Sequence, residues 1–167
     1  GTPIERDVTG YYYDQNLRGF NSSIETSSNS VLHKLSLNSL ASNRTEYTPF
    51  GNYDYYGTRT NLDYQARLDP SFGNVVLGVG AVNDVADIDD KKKEVTTIST
   101  FSSILTKPTD NSTFDITVRL DNHSKFGNKT TGRVAATYNL SQNLIFKVGG
   151  GTGFRAPSLY ELNTQYG

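Results

Sequence analysis

The sequence predicts an all-β fold, an antiparallel up-and-down meander of roughly eight strands. Three observations predict it. Only 35% of the residues are hydrophobic, yet there are 11 tyrosines and 8 phenylalanines among many Asn, Ser and Thr. Such a mixture suits pleated, half-buried surfaces better than helices. Apolar and polar residues alternate with period two in one segment after another, and no segment carries a 3.6-residue period. Finally, the connections between these segments alternate between short and long.

Taken in order, a strand is expected near Val31–Thr48 and another near Thr58–Asp69, joined by a long loop, Pro49–Gly57. In the second strand Leu62, Tyr64, Ala66 and Leu68 oppose Asp63, Gln65, Arg67 and Asp69. A short turn, Asp69–Asn74, leads into Val75–Val82, the longest mostly apolar run. A long charged loop is expected over Asn83–Glu94, and a short turn over Lys107–Ser112. Thr113–Asp121 then puts Phe114, Ile116, Val118 and Leu120 on one face, against Asp115, Thr117, Arg119 and Asp121. A longer polar loop, Asp121–Thr130, precedes Gly132–Leu140, where Val134, Ala136, Tyr138 and Leu140 repeat the pattern. After the short Leu140–Asn143 connection a last strand starts at Leu144, and everything beyond Gly151 is expected as a long loop.

One tight rim and one elaborated rim is the asymmetry of bacterial outer-membrane barrels. The run Val75–Val82 is far shorter than the roughly 20 residues of a spanning helix, but a membrane strand needs only about 9–11. The competing reading is a soluble β-sandwich, which also spaces strands with turns. Arg67, Arg119, Arg133 and Lys147 fall mid-strand on the polar face, acceptable beside bulk water or in a hydrated lumen. Alternation leaves the two architectures even; the loop asymmetry favours the barrel wall.

Composition narrows function further. Sixteen basic and 17 acidic residues leave a net charge of −1, which offers no attraction for nucleic acid or an anionic surface. The absence of cysteine excludes a disulfide scaffold and a thiolate metal site. Without methionine or a visible signal peptide, the chain is expected to be processed, trimmed or partial. His33 and His123 are the only histidines, and neither H-E-x-x-H nor G-x-S-x-G occurs. No enzyme is expected.

Gly151-Thr-Gly-Phe-Arg-Ala156 satisfies the G-x-G-x-x-G/A pattern of a dinucleotide loop. That reading requires a helix directly after the glycines and an acid about 20 residues on. Pro157 disfavours the helix, the sequence stops at Gly167, and no alternating strand–helix pattern surrounds the motif. Glycines inside a strand mark instead a bend, a bulge or the close approach of another backbone.

Leu144–Leu162 resembles the barrel segment of TonB-dependent outer-membrane receptors, in which a strand ends in the string GTGFRAPSLYEL and runs into an outer loop. Gly151, Thr152, Gly153, Phe154, Arg155, Ala156, Pro157, Ser158, Leu159, Tyr160, Glu161 and Leu162 match it without a gap. Arg119–Arg133 is similar to the family's RYDDHSxFGxxTTGR strand–loop–strand, and Leu62–Arg67 to its LDYQ strand. The resemblance spans Thr58–Gly167 and is nearest the cobalamin- and siderophore-receptor branch. It implies a barrel of about 22 strands around an N-terminal plug. Residues 1–167 would then be one partial barrel domain, an internal fragment with the plug, the TonB-box segment and the aromatic-ended terminal strand absent.

The function implied is active uptake of cobalamin or a ferric siderophore across the outer membrane of a Gram-negative bacterium. Partners would be outer-membrane lipid, the small-molecule ligand, and TonB acting through the missing plug; nucleic acid is not among them. Arg155 would be a lumen or rim group. Tyr53, Tyr55 and Tyr56 crowd one outer loop with Tyr47 and Phe50, where aromatic rings suit either a membrane interface or a ligand platform. Tyr47 is assigned to the interface, and Tyr11, Tyr12 and Tyr13 share the ambiguity. Asp84, Asp87, Asp89 and Asp90 offer oxygens for Ca²⁺, which some cobalamin receptors of the family use. Their spacing is not an EF-hand and Lys91, Lys92 and Lys93 compete for them, so a solvated charged loop is the simpler reading and no cofactor is required. Two alternatives stand beside the receptor fragment: a complete eight-stranded outer-membrane barrel, and a secreted β-sandwich binding module.

Overall fold

The computed structural model describes residues 10–88 and 91–159. They form eight strands, β1 (Tyr12–Ser28), β2 (Val31–Thr48), β3 (Gly51–Leu68), β4 (Gly73–Ile88), β5 (Lys91–Thr109), β6 (Ser112–His123), β7 (Gly127–Ser141) and β8 (Leu144–Gly151). Every strand pairs antiparallel with the next, in one sheet ordered β1 to β8. The meander is as the alternation predicts.

The expected long loops are not loops. Pro49–Gly57 is a tight turn at Pro49–Phe50 followed by paired strand, with Arg44 opposite Tyr55 and Glu46 opposite Tyr53. Within the expected Asn83–Glu94 loop, residues 83–88 continue β4 and residues 91–94 begin β5, and Asp121–Thr130 continues β6 and β7 around residues 124–126. The rim asymmetry survives as strand overhang. β2 and β3 pair out to Thr48–Gly51, whereas β3 and β4 part beyond Tyr56–Asp87. Likewise β4 and β5 pair to Ile88–Lys91, while β6 joins β5 only from Thr97. The opposite rim is tight. Asn29 and Ser30 both adopt positive φ there, as a two-residue type I′ hairpin turn requires. On the same rim the expected Lys107–Ser112 turn is present and tighter, at Asp110–Asn111 between the paired Thr109 and Ser112, with β5 extended through a bulge between Thr106 and Thr109 that accommodates Pro108.

Pairing in register sorts the side chains onto two faces. Leu35, Tyr64 and Val79 lie on one row of the first face; Ile104, Ile116 and Val134 lie on another. Phe114, Ile116, Val118 and Leu120 are 38–51% exposed, and the apolar rows of β2, β4 and β8 are similarly open. Among the described residues only Val95 and Leu159 are buried apolar side chains. The surface measures 12524 Å², against roughly 8,000 Å² for a compact monomer of this size. A sandwich would cover the aliphatic rows with a second sheet; here one layer leaves them open, and that alternative is excluded. β1 and β8 do not pair with each other among the described residues, so the sheet is not a closed eight-stranded barrel either. No described helix is long and apolar enough to cross a membrane, which says nothing of crossing by strands.

Candidate functional site: the polar face and its strap

The second face carries the charge. Arg119 donates from Nε to both Asp121 oxygens, at 2.9 and 3.1 Å, and from Nη2 to Ser99 Oγ at 2.7 Å. Ser99 Oγ in turn donates to Asp121 at 2.5 Å. Ser99 is buried and the Asp121 side chain only 16% exposed, so this is a shielded, mutually satisfied network. Arg59 approaches Asp84 at 3.4 Å and Arg133 approaches Asp115 at 3.7 Å, both in more open settings. Arg67 reaches Asp69 at 3.6 Å near the tight rim. Each mid-strand arginine expected on this face thus has an acidic partner.

His123 is buried at the end of β6. Its Nδ1 accepts the backbone N–H groups of Lys125 at 3.1 Å and Phe126 at 3.4 Å, and its ring tilts against Phe126. It holds the turn to β7 together.

The glycine-rich end folds inward across this face. At its start Thr152 extends the β7–β8 ladder: its N–H donates to Gly132 O at 2.8 Å, and its Oγ1 accepts the Gly132 N–H at 3.0 Å. A Cβ on Gly151 would stand 2.7 Å from Gly132 O and 3.2 Å from Arg133 Cα, so only glycine lets the two backbones close here. Residues 152–158 are neither strand nor helix. Phe154 lies beneath Lys129 of β7, with Nζ 5.2 Å from the ring centroid, and Leu159 is buried against Val95 of β5 beside Ala86 of β4. The segment is irregular, as the expected long loop would be, and it forms a strap drawn from β8 over β7 to β5 and β4. Phe101 makes a comparable close approach over Gly78, where any Cβ would meet its ring at 2.2 Å.

Between strap and strands opens a cavity of about 650 Å³, lined by both Arg–Asp pairs of β3–β4 and β6, by His123 and by Arg155. A second cavity of about 490 Å³ adjoins it through Ser42, Gly57 and Ala86 and reaches Gln15, Arg44, Glu46 and Tyr55.

The residues singled out in the sequence divide between these places. Arg155 lines the larger cavity; Tyr55 and Tyr56 line the smaller. Tyr53 and Tyr55 lie on the polar face, opposite Glu46 and Arg44, whereas Tyr56 has the phase of Leu62 and the apolar rows. Tyr47 stacks on Tyr12 at 4.4 Å on the overhanging strands, far along β2 from Leu37, and so stands away from the edge of the apolar band. Tyr138 and Phe146 pair across β7 and β8 near the tight rim instead. Asp84 is engaged by Arg59, and Asp87 has the opposite phase on β4. Asp89 and Asp90, like Tyr160, Glu161 and Leu162 of the motif, lie outside the described residues. Among the described residues no three acidic or histidine side chains are grouped to hold a metal. Sequence reasoning passed over Arg44, Glu46, Arg59 and Ser99. Carrying the period of Asn61–Asp69 back through Gly57 would have placed Arg59, Tyr55 and Tyr53 in phase with Arg67.

The sequence matches the family described as TonB dependent receptor-like, beta-barrel, over residues 3–167. The chain belongs to this family. The fold agrees: it superimposes on the siderophore receptor PirA from Acinetobacter baumannii with a TM-score of 0.80 at 14% identity, over 87% of this chain and 26% of that one. The siderophore receptor PirA from Pseudomonas aeruginosa gives 0.70 at 16% identity, over 93% of this chain and 34% of that one. The chain thus spans about a quarter to a third of these two receptors. No curated relative matches the sequence. In a TonB-dependent receptor barrel the exposed apolar face is the outer surface of the wall, and the face crossed by the strap is the lumen side.

Proposed function

We propose that this chain is barrel wall from an outer-membrane receptor that imports a ferric siderophore. The observation that carries the reading is the division of one sheet into an open apolar face and a charged face roofed by an inward strap, in a chain matching the family over residues 3–167. The two structural neighbours, both siderophore receptors, favour a ferric chelate over cobalamin. In this reading the overhanging rim faces the exterior and the tight rim the periplasm. Tyr53, Tyr55 and Arg155 contact ligand from the lumen side, while Tyr56 faces outward. TonB acts through a plug, and the cycle moves ligand without chemical change.

The test is uptake. Deleting the gene from a strain starved of iron abolishes import of ⁵⁵Fe supplied as a siderophore complex, and a protonophore abolishes it in the parent strain. Import of labelled cyanocobalamin, with iron uptake untouched, would assign the other branch. If calcium serves the β4–β5 tip, EDTA weakens ligand binding by the receptor and Ca²⁺ restores it.

A further inference from the structure

Side chains on a strand ordinarily stand roughly perpendicular to the sheet. At one level of the lumen face the long ones lie flat. The row Gln65–Gly78–Phe101–Arg119–Thr131 crosses β3 to β7, and the next row toward the overhang is Asp63–Gly80–Ser99–Asp121–Lys129. Gln65 leans toward that second row, donating from Nε2 to Asp63 Oδ1 at 2.8 Å, and Arg119 leans toward it to reach Asp121 and Ser99. Asp63 itself lies over Gly80, with Oδ2 3.0 Å from where a Cβ would stand. Phe101 lies sideways over Gly78: a Cβ there would fall on Cε1 and Cζ of the ring.

Phe101 is out of place by chemistry. Phe20, Phe114 and Phe146 face outward with the apolar rows, while Phe101 shares the row of Arg119. Two resting places flank it. A guanidinium attracts a ring face, but that of Arg119 is turned to Asp121 and Ser99. Gly78, opposite on β4, has no side chain, and the ring takes its space. Glycine weakens a strand, since it packs nothing and loses more backbone freedom than other residues. What it provides here is room. Neither Gly78 nor Phe101 lines the two cavities of this face; their row lies one step nearer the tight rim than Ser99 and Asp121.

We propose that Phe101 sets the clearance of the import path and that Gly78 is the notch that keeps its ring parked against the wall. Deprived of the notch, the ring stands into the lumen at a level cargo passes after leaving the cavities. The effect falls on transport and not on capture. The proposal rests on the importer reading above, whichever cargo is carried, and adds a residue that limits what passes.

The experiment uses the full receptor carrying this sequence, expressed in the deletion strain. Two labels are given separately: ⁵⁵Fe bound by the siderophores in the parent strain's iron-starved spent medium, and labelled cyanocobalamin. Binding is read in cells held with a protonophore and import in energised cells, each per folded receptor as counted by heat-modifiable mobility on SDS gels. Gly78→Ala keeps binding and slows import about fivefold or more, the rate equivalent of a mild overpacking cost. Adding Phe101→Ala to Gly78→Ala restores import, because the displaced ring is gone. Phe101→Trp, which keeps Gly78 but outgrows its notch, slows import as well and covers the case in which Gly78→Ala does not fold. Wild-type import by folded Gly78→Ala or Phe101→Trp overturns the proposal; a pair that only stabilised the sheet would lower Tm and give this result. A double variant as slow as Gly78→Ala overturns it too, as does joint loss of binding and import, which would place the pair in capture. The importer reading survives each of these. Uptake of neither label by the wild-type receptor, with normal growth of the deletion strain on limiting iron and cobalamin, overturns both.

Discussion

The half of the sheet toward the tight rim and the half toward the overhang share one hydrogen-bonded ladder but not one surface. Toward the tight rim, β4 carries Val75, Leu77, Val79 and Ala81 on the outer face, and β6 carries Phe114, Ile116, Val118 and Leu120. Toward the overhang the same faces carry Asn83, Asp87, Lys92 and Glu94, and Asn122 and Asn128. Backbone pairing continues through the change; the solvent that each face is built for does not. A strand in lipid must be apolar outward, whereas a paired hairpin standing in water has no such obligation. The lesson is that secondary structure and environment are separate variables here, and alternation reports only their coincidence.

The sharpest way to break this contrast is to place the same charge in both halves. Val118→Arg, mid-band, costs about 2–4 kcal/mol, while Asn128→Arg on the same face beyond the band stays within about 0.5 kcal/mol. Urea unfolding of the refolded receptor in vesicles measures both, and equal costs would remove the distinction. A smaller effect is expected where β8 closes on β7. Gly151→Ala forces a Cβ into the Gly132 carbonyl and costs about 1–3 kcal/mol, whereas Gly150, with nothing within 4 Å, accepts alanine almost freely.

The charged face admits a similar comparison. Arg119→Ala takes the cation from the shielded Asp121 carboxylate and costs about 1–3 kcal/mol; Arg67→Ala breaks an exposed 3.6 Å pair and costs at most about 1 kcal/mol. A similar cost for the two would mean that burial of Asp121 does not matter. Loosening the strap is a local event. Leu159→Ala empties its contact with Val95 and Ala86 and speeds tryptic cleavage after Arg155 in the folded receptor by about tenfold. An unchanged cleavage rate would show that the Leu159 contact does not hold the strap down.

These differences also explain what could be read in advance. Leu62–Leu68 and Phe114–Leu120 announced themselves because one of their faces is oily. Arg44–Gly57 did not, because Tyr53, Asp54, Tyr55 and Tyr56 put aromatic and polar groups on both faces, and Pro49 and Gly51 read as loop punctuation. The motif from Gly151 was legible as a family string, and Gly151 as a point of close approach. Its path was not: Leu159 meets Val95 only because five strands of pairing bring β4, β5 and β8 into one wall, and no local pattern encodes that distance. Arg44 was missed for the same reason, since its neighbours Tyr13 and Tyr55 come from two other strands.

A nitroxide scan of the receptor in bilayers, one label at a time from Thr113 to Asn128, addresses the two-solvent wall directly. Oxygen accessibility should peak at positions 114, 116, 118 and 120, and that of a water-soluble nickel complex at the positions between them. From Asn122 onward oxygen accessibility should fall on both faces. Labels at 114–120 shielded from both reagents, as beneath a second protein layer, would contradict the account.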